Sequence, residues 1–244
     1  MTFKIGILQA DHLTGSLAEK YTDYAHLFRQ ILAGYGFRFQ TWPVVDSEFP
    51  DSPADSDGWL VTGSRFSVCD SHSWIRQLED FVRRCINDKS PVVGICFGHQ
   101  ILATALGGRV APAAGGWCVG RQCYETGDGP IFLNAWHQDQ ISQLPPDAEV
   151  TGRSESCPYA MLSYGDSALS FQAHPEFSDA FLGDLIRERK NGGIDHALLS
   201  AARASLDQKS SSRAVATQIA TFFQTAQRVS PSLSSPQASS SSTF

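Results

Sequence analysis

One cysteine of the chain is placed where a nucleophile could act. Cys96 follows a short apolar run and precedes a helix-like pattern, with Gly94 and Gly98 on either side. A strand that passes directly into a helix needs a tight turn, and small flanking residues let the backbone fold without collision. The first amides of the helix would favour a thiolate and could donate hydrogen bonds to an oxyanion. The alternative is a buried cysteine that packs as a small apolar residue.

A histidine and a glutamate could complete a catalytic set with this cysteine. A cysteine nucleophile needs a base, and the base needs a third group that orients it. His174 follows a strand-like run and Glu176 lies two residues further on. Residues i and i+2 of an extended segment face the same way, so the carboxylate can lie beside the imidazole. We therefore predict a Cys96–His174–Glu176 triad for acyl transfer, whereas His-Pro-Glu taken alone would be an ordinary turn.

The segments around these residues alternate between strand and helix patterns in the first half of the chain. The predicted strands are 4–10, 37–42, 58–62 and 91–95, and the predicted helices are 17–33, 74–86 and 97–106. Such alternation indicates an α/β fold with a flavodoxin-like, doubly wound and mostly parallel sheet that carries helices on both faces. Functional residues are then expected at the carboxyl ends of the strands.

The second half of the chain predicts a small antiparallel β extension of this sheet. Short strand-like pieces divided by Gly and Pro lie at 116–125, 131–136, 148–152 and 159–164. A strand at 168–173 and helices at 178–190, 194–205 and 212–229 follow. We predict one domain over residues 1–206, a C-terminal helix over 207–229 and a flexible Ser-rich tail over 230–244.

Composition narrows the possible partners and surroundings of the chain. It has 244 residues, 42% of them hydrophobic, and a formal net charge of −6 without a long basic run. Nucleic acid is therefore not an expected partner. Neither a signal peptide nor a stretch of about 18 apolar residues is apparent, which predicts a cytoplasmic protein without a membrane association. The six cysteines lack metal-ligand spacing, so we expect reduced thiols, no metal and no other cofactor.

Two motifs together resemble those of the class I glutamine amidotransferase superfamily. Its members carry a G-x-C-x-G-x-Q turn and a late H-P-E, which correspond here to Gly94-Ile95-Cys96-Phe97-Gly98-His99-Gln100 and His174-Pro175-Glu176. The resemblance spans about residues 4–185. Residues 135–145 and 154–161 are also similar to segments of the glutaminase domain of GMP synthase. The superfamily further includes stand-alone γ-glutamyl peptide hydrolases.

The resemblance implies a reaction and a role for each matching residue. The Cys96 thiolate would attack a γ-glutamyl amide, and His174 would protonate the departing amine and then activate water against a glutamyl thioester. Gly63 and the amide of Phe97 match the oxyanion hole of the family. Gln100 matches its substrate-contacting glutamine.

One stretch departs from the family pattern. Glutaminases usually have Ser-His-Gly-Asp where this chain has Trp136-His137-Gln138-Asp139. Trp136 either belongs to the core or forms an apolar wall of the substrate site for an amine larger than ammonia. Trp117, near the position of a glutamate in the synthase domain, favours the second interpretation. His137 is either a substrate contact or a structural histidine in a predicted loop.

These observations favour a stand-alone hydrolase that removes the γ-glutamyl group from a small γ-glutamyl amide or peptide. The alternative with the same chemistry is a glutaminase subunit that supplies ammonia to a separate synthetase or ligase. A cysteine variant of the α/β-hydrolases would place its acid between the nucleophile and the histidine, whereas here Glu176 follows His174. A non-catalytic binding module that kept the fold is the remaining alternative.

Overall fold

A nine-stranded sheet forms the centre of the molecule as far as the structure describes it. The structure is a computed structural model that describes residues 2–189 and 193–229. The strands are β1 (Lys4–Leu8), β2 (Arg38–Trp42), β3 (Gly58–Val61), β4 (Val92–Ile95), β5 (Arg109–Pro112), β6 (Cys118–Thr126), β7 (Gly129–His137), β8 (Asp139–Gln143), β9 (Glu149–Arg153), β10 (Met161–Tyr164) and β11 (Ala168–Phe171). The large sheet has the order β2-β1-β3-β4-β11-β10-β9-β6-β7.

The first five strands in that order are parallel. The candidate site lies at the carboxyl ends of β3, β4 and β11. β1 pairs with β2 and β3, and β4 pairs with β3 and β11, all in parallel. Every residue of β3 and β4 is buried, as expected of strands covered on both faces. The mostly parallel α/β sheet predicted from the sequence is confirmed.

The helices cover both faces of this sheet. They are α1 (Gly15–Tyr21), α2 (Tyr24–Ile31), α3 (Ser73–Asn87), α4 (Phe97–Ala105), α5 (Asp179–Glu188), α6 (His196–Ser205) and α7 (Ser212–Val229). Apolar residues of α3 and α4 pack in one core cluster, which includes Trp59 of β3. Apolar residues of α2 and α7 pack in another, which includes Ile5 of β1. No helix of the described ranges is long and apolar enough to span a membrane.

The single helix predicted over residues 17–33 is wrong, because two helices occupy this range. The backbone of Thr22 has φ +69°, which a helix does not accommodate. Asp23 then starts α2 as its N-cap, and its side chain accepts a hydrogen bond from the amide of His26. Leu17 of α1 and Leu27 of α2 belong to the same apolar cluster, which is why the spacing across the break resembles one continuous helix.

The remaining strands form the predicted antiparallel extension. β10 pairs with β11, β9 with β10, and β6 with both β9 and β7, always antiparallel. β5 and β8 form a separate two-stranded sheet. The sequence predicted neither β5 nor β8, because Ile141 of β8 is the only buried residue in the two strands and both have little apolar alternation. The predicted tail at 230–244 lies outside the described residues.

Candidate active site

The turn between β4 and α4 carries Cys96 in a strained backbone conformation. Cys96 has φ +53° and ψ −103° at the N-cap of α4. Positive φ is unfavourable for residues other than glycine and needs support from the surrounding structure. The Cys96 amide donates to the carbonyl of Phe171 at 2.8 Å, and its carbonyl accepts from the amide of Gln100 at 3.0 Å. The backbone of the candidate nucleophile is thus hydrogen-bonded both to the sheet and to the helix.

The glycines on either side of Cys96 allow the backbones of β3, β4 and α4 to approach each other. A Cβ atom on Gly94 would lie 2.3 Å from the carbonyl oxygen of Gly98. A Cβ atom on Gly98 would lie 2.4 Å from the carbonyl oxygen of Val61. Real Cβ atoms do not come this close, so both positions require glycine for space.

His174 and Glu176 form a buried hydrogen-bonded pair just beyond the end of β11. The Nδ1 atom of His174 lies 2.7 Å from Oε1 of Glu176. A carboxylate can only accept, so Nδ1 carries the proton and donates it. Burial alone would lower the pKa of His174, but Glu176 and Cys96 together raise it to about 10. Nε2 of His174 is buried and has no hydrogen-bond partner among the described residues.

Gly63, after the end of β3, lies against both His174 and Cys96. A Cβ atom on Gly63 would be 2.8 Å from Cε1 of His174 and 3.6 Å from Cβ of Cys96. Phe97 is the first residue of α4, where backbone amides lack a partner within the helix. The structure therefore brings Cys96, His174, Glu176 and Gly63 together, with the amide of Phe97 adjacent to the cysteine.

Glu176→Gln is expected to reduce turnover on the order of 10³-fold, less than replacement of Cys96. The amide keeps the shape of the side chain but removes the charge that favours protonated His174. It can also donate to Nδ1, which would select the wrong imidazole tautomer. Steady-state kinetics together with thermal unfolding would separate this effect from a loss of stability. Turnover equal to that of the wild type would show that Glu176 does not orient His174.

The residues that hold the segment after β3 were not found from the sequence. The carboxylate of Asp11 accepts from the backbone amide of Arg65 at 3.0 Å and from its Nε at 2.8 Å. The hydroxyl of Ser64 donates to the carbonyl of Ala10 at 2.9 Å. These bonds fix the backbone next to Gly63. The partners are more than fifty residues apart, so no local signal connects them.

A cavity of about 290 Å³ contains Cys96 and the remaining predicted site residues. Phe97, Gln100, Trp136 and His137 line it. Clefts of about 600 Å³ and 800 Å³ lie elsewhere on the described surface, but neither includes the cysteine. The smaller cavity is therefore the candidate substrate site.

Two tryptophans form one wall of this cavity. The ring centroids of Trp117 and Trp136 are 6.0 Å apart, with an angle of 57° between the planes. Both are partly buried and pack against the apolar cluster that contains Phe177 and Leu182. The carbonyl oxygen of Trp136 also lies 3.9 Å from the Cys96 sulfur. Trp136 thus packs on the core and lines the cavity at the same time, so the two interpretations of this residue are compatible.

Gln100 is connected to Cys96 through a second glutamine. Its Nε2 donates to the Asp139 carbonyl at 2.9 Å and to Oε1 of Gln172 at 3.2 Å. Nε2 of Gln172 in turn lies 3.6 Å from the Cys96 sulfur. Gln172 was not predicted from the sequence, although it precedes His174 by two residues and strand alternation could have indicated it.

The loop predicted around His137 is wrong, because His137 is the last residue of β7 and is buried. Its Nδ1 lies 3.1 Å from the carbonyl oxygen of Asp139. Burial lowers the pKa of His137 to about 4, so the ring is neutral at physiological pH. Its Nε2 is buried without a hydrogen-bond partner among the described residues. Within the described part of the chain it is therefore an unpaired polar atom of a residue that lines the cavity.

Within the described ranges, no group of three or more His, Cys, Asp or Glu side chains is arranged to hold a metal ion. The six cysteines are free thiols, and Cys118 and Cys123 lie on β6 as strand residues.

The fold and the cysteine turn define a recognised class of α/β protein. The chain matches the family described as Glutamine amidotransferase class-I over residues 18–186. It belongs to the class I glutamine amidotransferase family, and the resemblance inferred from the two motifs is confirmed.

Relatives named for different activities are similar to this chain. Gamma-glutamyl peptidase 4 of Arabidopsis thaliana is 30% identical over 210 residues, which cover 79% of this chain and 84% of that protein. The GMP synthase of Thermomicrobium roseum is 41% identical over 104 residues, or 39% of this chain and 20% of the synthase. A glutamine amido transferase structure from Methylobacillus flagellatus superposes with a TM-score of 0.72 at 21% identity, covering 93% and 96% of the two chains. The superposition supports the fold alone.

Proposed function

We propose that the protein is a cysteine-dependent hydrolase that cleaves the γ-glutamyl amide bond of a small γ-glutamyl compound or peptide. The family supplies the class of chemistry. The similarity to a γ-glutamyl peptidase over most of both chains favours a peptide or amide substrate. The observation that carries the proposal is the tryptophan wall in the cavity of Cys96.

The first half of the proposed reaction transfers the glutamyl group to Cys96. The thiolate attacks the carbonyl carbon of the γ-amide, and a sulfur–carbon bond forms. Donors at Gly63 and the amide of Phe97 would stabilise the oxyanion. Protonated His174 then gives its proton to the nitrogen, the carbon–nitrogen bond breaks and the amine leaves.

The second half returns the enzyme to its starting state. Neutral His174 takes a proton from water, and the resulting hydroxide attacks the thioester. The sulfur–carbon bond breaks, glutamate leaves, and the thiolate and imidazolium are restored. Glu176 accepts from Nδ1 throughout, which keeps Nε2 directed away from the carboxylate and available for proton transfer.

The wall of Trp117 and Trp136 determines our expectation for the leaving amine. Ammonia has no apolar surface that could pack against two indole rings, whereas an aromatic or branched amine would cover them. Burial of apolar surface contributes about 25 cal/mol per Å², so a side chain of ordinary size gains 1 to 3 kcal/mol there. We therefore propose a leaving group with an apolar side chain.

The substrate preference should change when the wall is removed. We expect the wild type to hydrolyse γ-glutamylphenylalanine with a higher kcat/KM than glutamine. Trp136→Ser, which restores the residue usual in glutaminases, should lower kcat/KM for γ-glutamylphenylalanine about thirtyfold and leave glutamine hydrolysis within about threefold. The measurement is the release of glutamate from a panel of γ-glutamyl amides.

Trp136→Phe is the matched control, because it keeps an aromatic surface and should keep the preference. Glutamine as the best substrate of the wild type, with no bulky amide cleaved, would contradict the proposal. Stimulation of that glutaminase activity by a synthetase would instead support the ammonia-supplying alternative.

A further inference from the structure

The ring of Phe177 lies flat on the imidazole of His174. The two ring centroids are 3.9 Å apart, and the planes differ by only 6°. Both side chains are buried. Glu176 occupies the Nδ1 edge of the imidazole, so Phe177 covers a face of the ring that no hydrogen bond could hold. Sequence patterns alone give no role to this phenylalanine.

Phe177 is itself fixed by its surroundings. The side-chain amide of Asn134 donates to the carbonyl of Phe177 at 2.8 Å. The backbone carbonyl of Asn134 accepts from the amide of His174, also at 2.8 Å. One residue of β7 therefore ties both stacked residues to the sheet. The ring of Phe181 packs on Phe177 from α5 with a centroid distance of 4.5 Å, and Tyr24 stacks on it from α2 at 6.3 Å.

The other groups around His174 leave this face to the aromatic ring. Glu176 lies on the same segment, and Cys96 faces the imidazole from the start of α4; both favour its protonated form. A charged His137, at the end of β7, would repel the protonated imidazole of His174. The low pKa of His137, about 4, keeps His137 uncharged. On the side of α2, burial raises the pKa of Tyr24, so this hydroxyl is also uncharged.

An aromatic face attracts a cation, and the attraction is stronger where water is excluded. We propose that Phe177 is a positioning residue that holds the His174 imidazole in line with Glu176 and Cys96 and stabilises its protonated form. The proposal rests on the proposed function in one respect, namely that His174 acts as the acid of the reaction. Protonated His174 is the state that holds the thiolate and later protonates the leaving amine.

The direct test is an NMR titration of the His174 imidazole in the Cys96→Ala background, where the thiol no longer titrates with it. Phe177→Leu should lower the pKa of His174 by about one unit, because the π face is lost. Phe177→Tyr should stay within a few tenths of a unit. Phe181→Leu removes a neighbouring buried ring that does not cover the imidazole, while the bonds from Asn134 still hold Phe177 and His174, so the pKa of His174 should change by less than a few tenths of a unit.

A second measurement needs no substrate. Iodoacetamide alkylates a thiolate: a sulfur–carbon bond forms, iodide leaves, and the proton remains on His174. At neutral pH the alkylation of Cys96 should be several-fold slower in Phe177→Leu than in Phe181→Leu or the wild type, because an imidazole that is no longer held in line with the sulfur stabilises the thiolate less. If Phe177→Leu does not fold, Phe177→Met also lacks the ring and serves in its place.

The outcomes separate this proposal from the proposed function. An unchanged or raised pKa of His174 in Phe177→Leu, or equal effects of Phe177→Leu and Phe181→Leu, would overturn the role of Phe177. Rapid alkylation of the wild type without cleavage of any γ-glutamyl amide would overturn only the proposed substrate. The titration would then still measure the effect of Phe177 on the pKa of His174, and the alkylation its effect on the reactivity of Cys96.

Discussion

Cys96→Ala is expected to lose γ-glutamyl amide hydrolysis on the order of 10⁵-fold, down to the background rate. The proposed reaction forms its covalent bond at this sulfur, and His174 and Glu176 cannot replace it. Cys96→Ser should be nearly as inactive, because a hydroxyl is far less ionised than a thiol at neutral pH. The fold should persist in both variants, since the turn depends on Gly94 and Gly98 for space.

Intact-mass measurement of the acyl-enzyme would test the same step directly. Wild-type protein quenched during turnover should carry an added mass equal to one glutamyl residue, and Cys96→Ala should carry none. Cys123→Ala is the matched control, because Cys123 is an exposed thiol on β6 outside the cavity. An adduct that persists in Cys96→Ala, or turnover that survives there, would show that another residue is the nucleophile.

The parts of the site that the sequence indicated are those defined by short-range patterns. A glycine two residues before and two after a cysteine is visible in the chain, and both glycines prove to be positions of close backbone approach. His174 and Glu176 are two residues apart, and the structure joins them by a hydrogen bond. Alternation of apolar strands and amphipathic helices likewise predicted the mostly parallel sheet, and the structure confirms it.

The parts that were missed depend on contacts between distant segments or on local turns that periodicity does not describe. Asp11 meets Arg65 only because β1 and β3 are neighbours in the sheet. The stacking of Phe177 on His174 joins residues three positions apart across the turn at Pro175 and Glu176, and strand periodicity does not describe this turn. The same limit applies to the helix break at Thr22, where a local backbone angle overrides a regular apolar spacing.

Gly98→Ala is expected to destabilise the protein and to reduce activity further than the loss of stability accounts for. The new Cβ would lie 2.4 Å from the carbonyl oxygen of Val61 and 2.8 Å from its Cβ. Both atoms belong to β3, whose backbone cannot rotate away as a flexible side chain would. Helix α4 must then move away from the sheet, which lowers the free energy of unfolding by about 3 kcal/mol.

The helix propensity of alanine opposes this cost but does not cancel it. Alanine is more favourable than glycine in a helix by about 1 kcal/mol, which leaves a net loss of about 2 kcal/mol. For a domain of this size that corresponds to a decrease of roughly 6 °C in Tm. Cys96 is the N-cap of α4, so a shift of the helix also displaces the sulfur from His174. Differential scanning calorimetry and kinetics below the transition would measure the two effects separately.

Gly115→Ala is the matched control for this substitution. Nothing lies within 4 Å of a Cβ at Gly115, and its backbone has no positive φ. The same chemical change should therefore leave both Tm and activity close to wild type. A Gly98→Ala protein as stable and active as Gly115→Ala would mean that α4 can move from β3 without cost. The position of Cys96 would then depend on its hydrogen bonds to Phe171 and Gln100 and not on the close packing of the glycines.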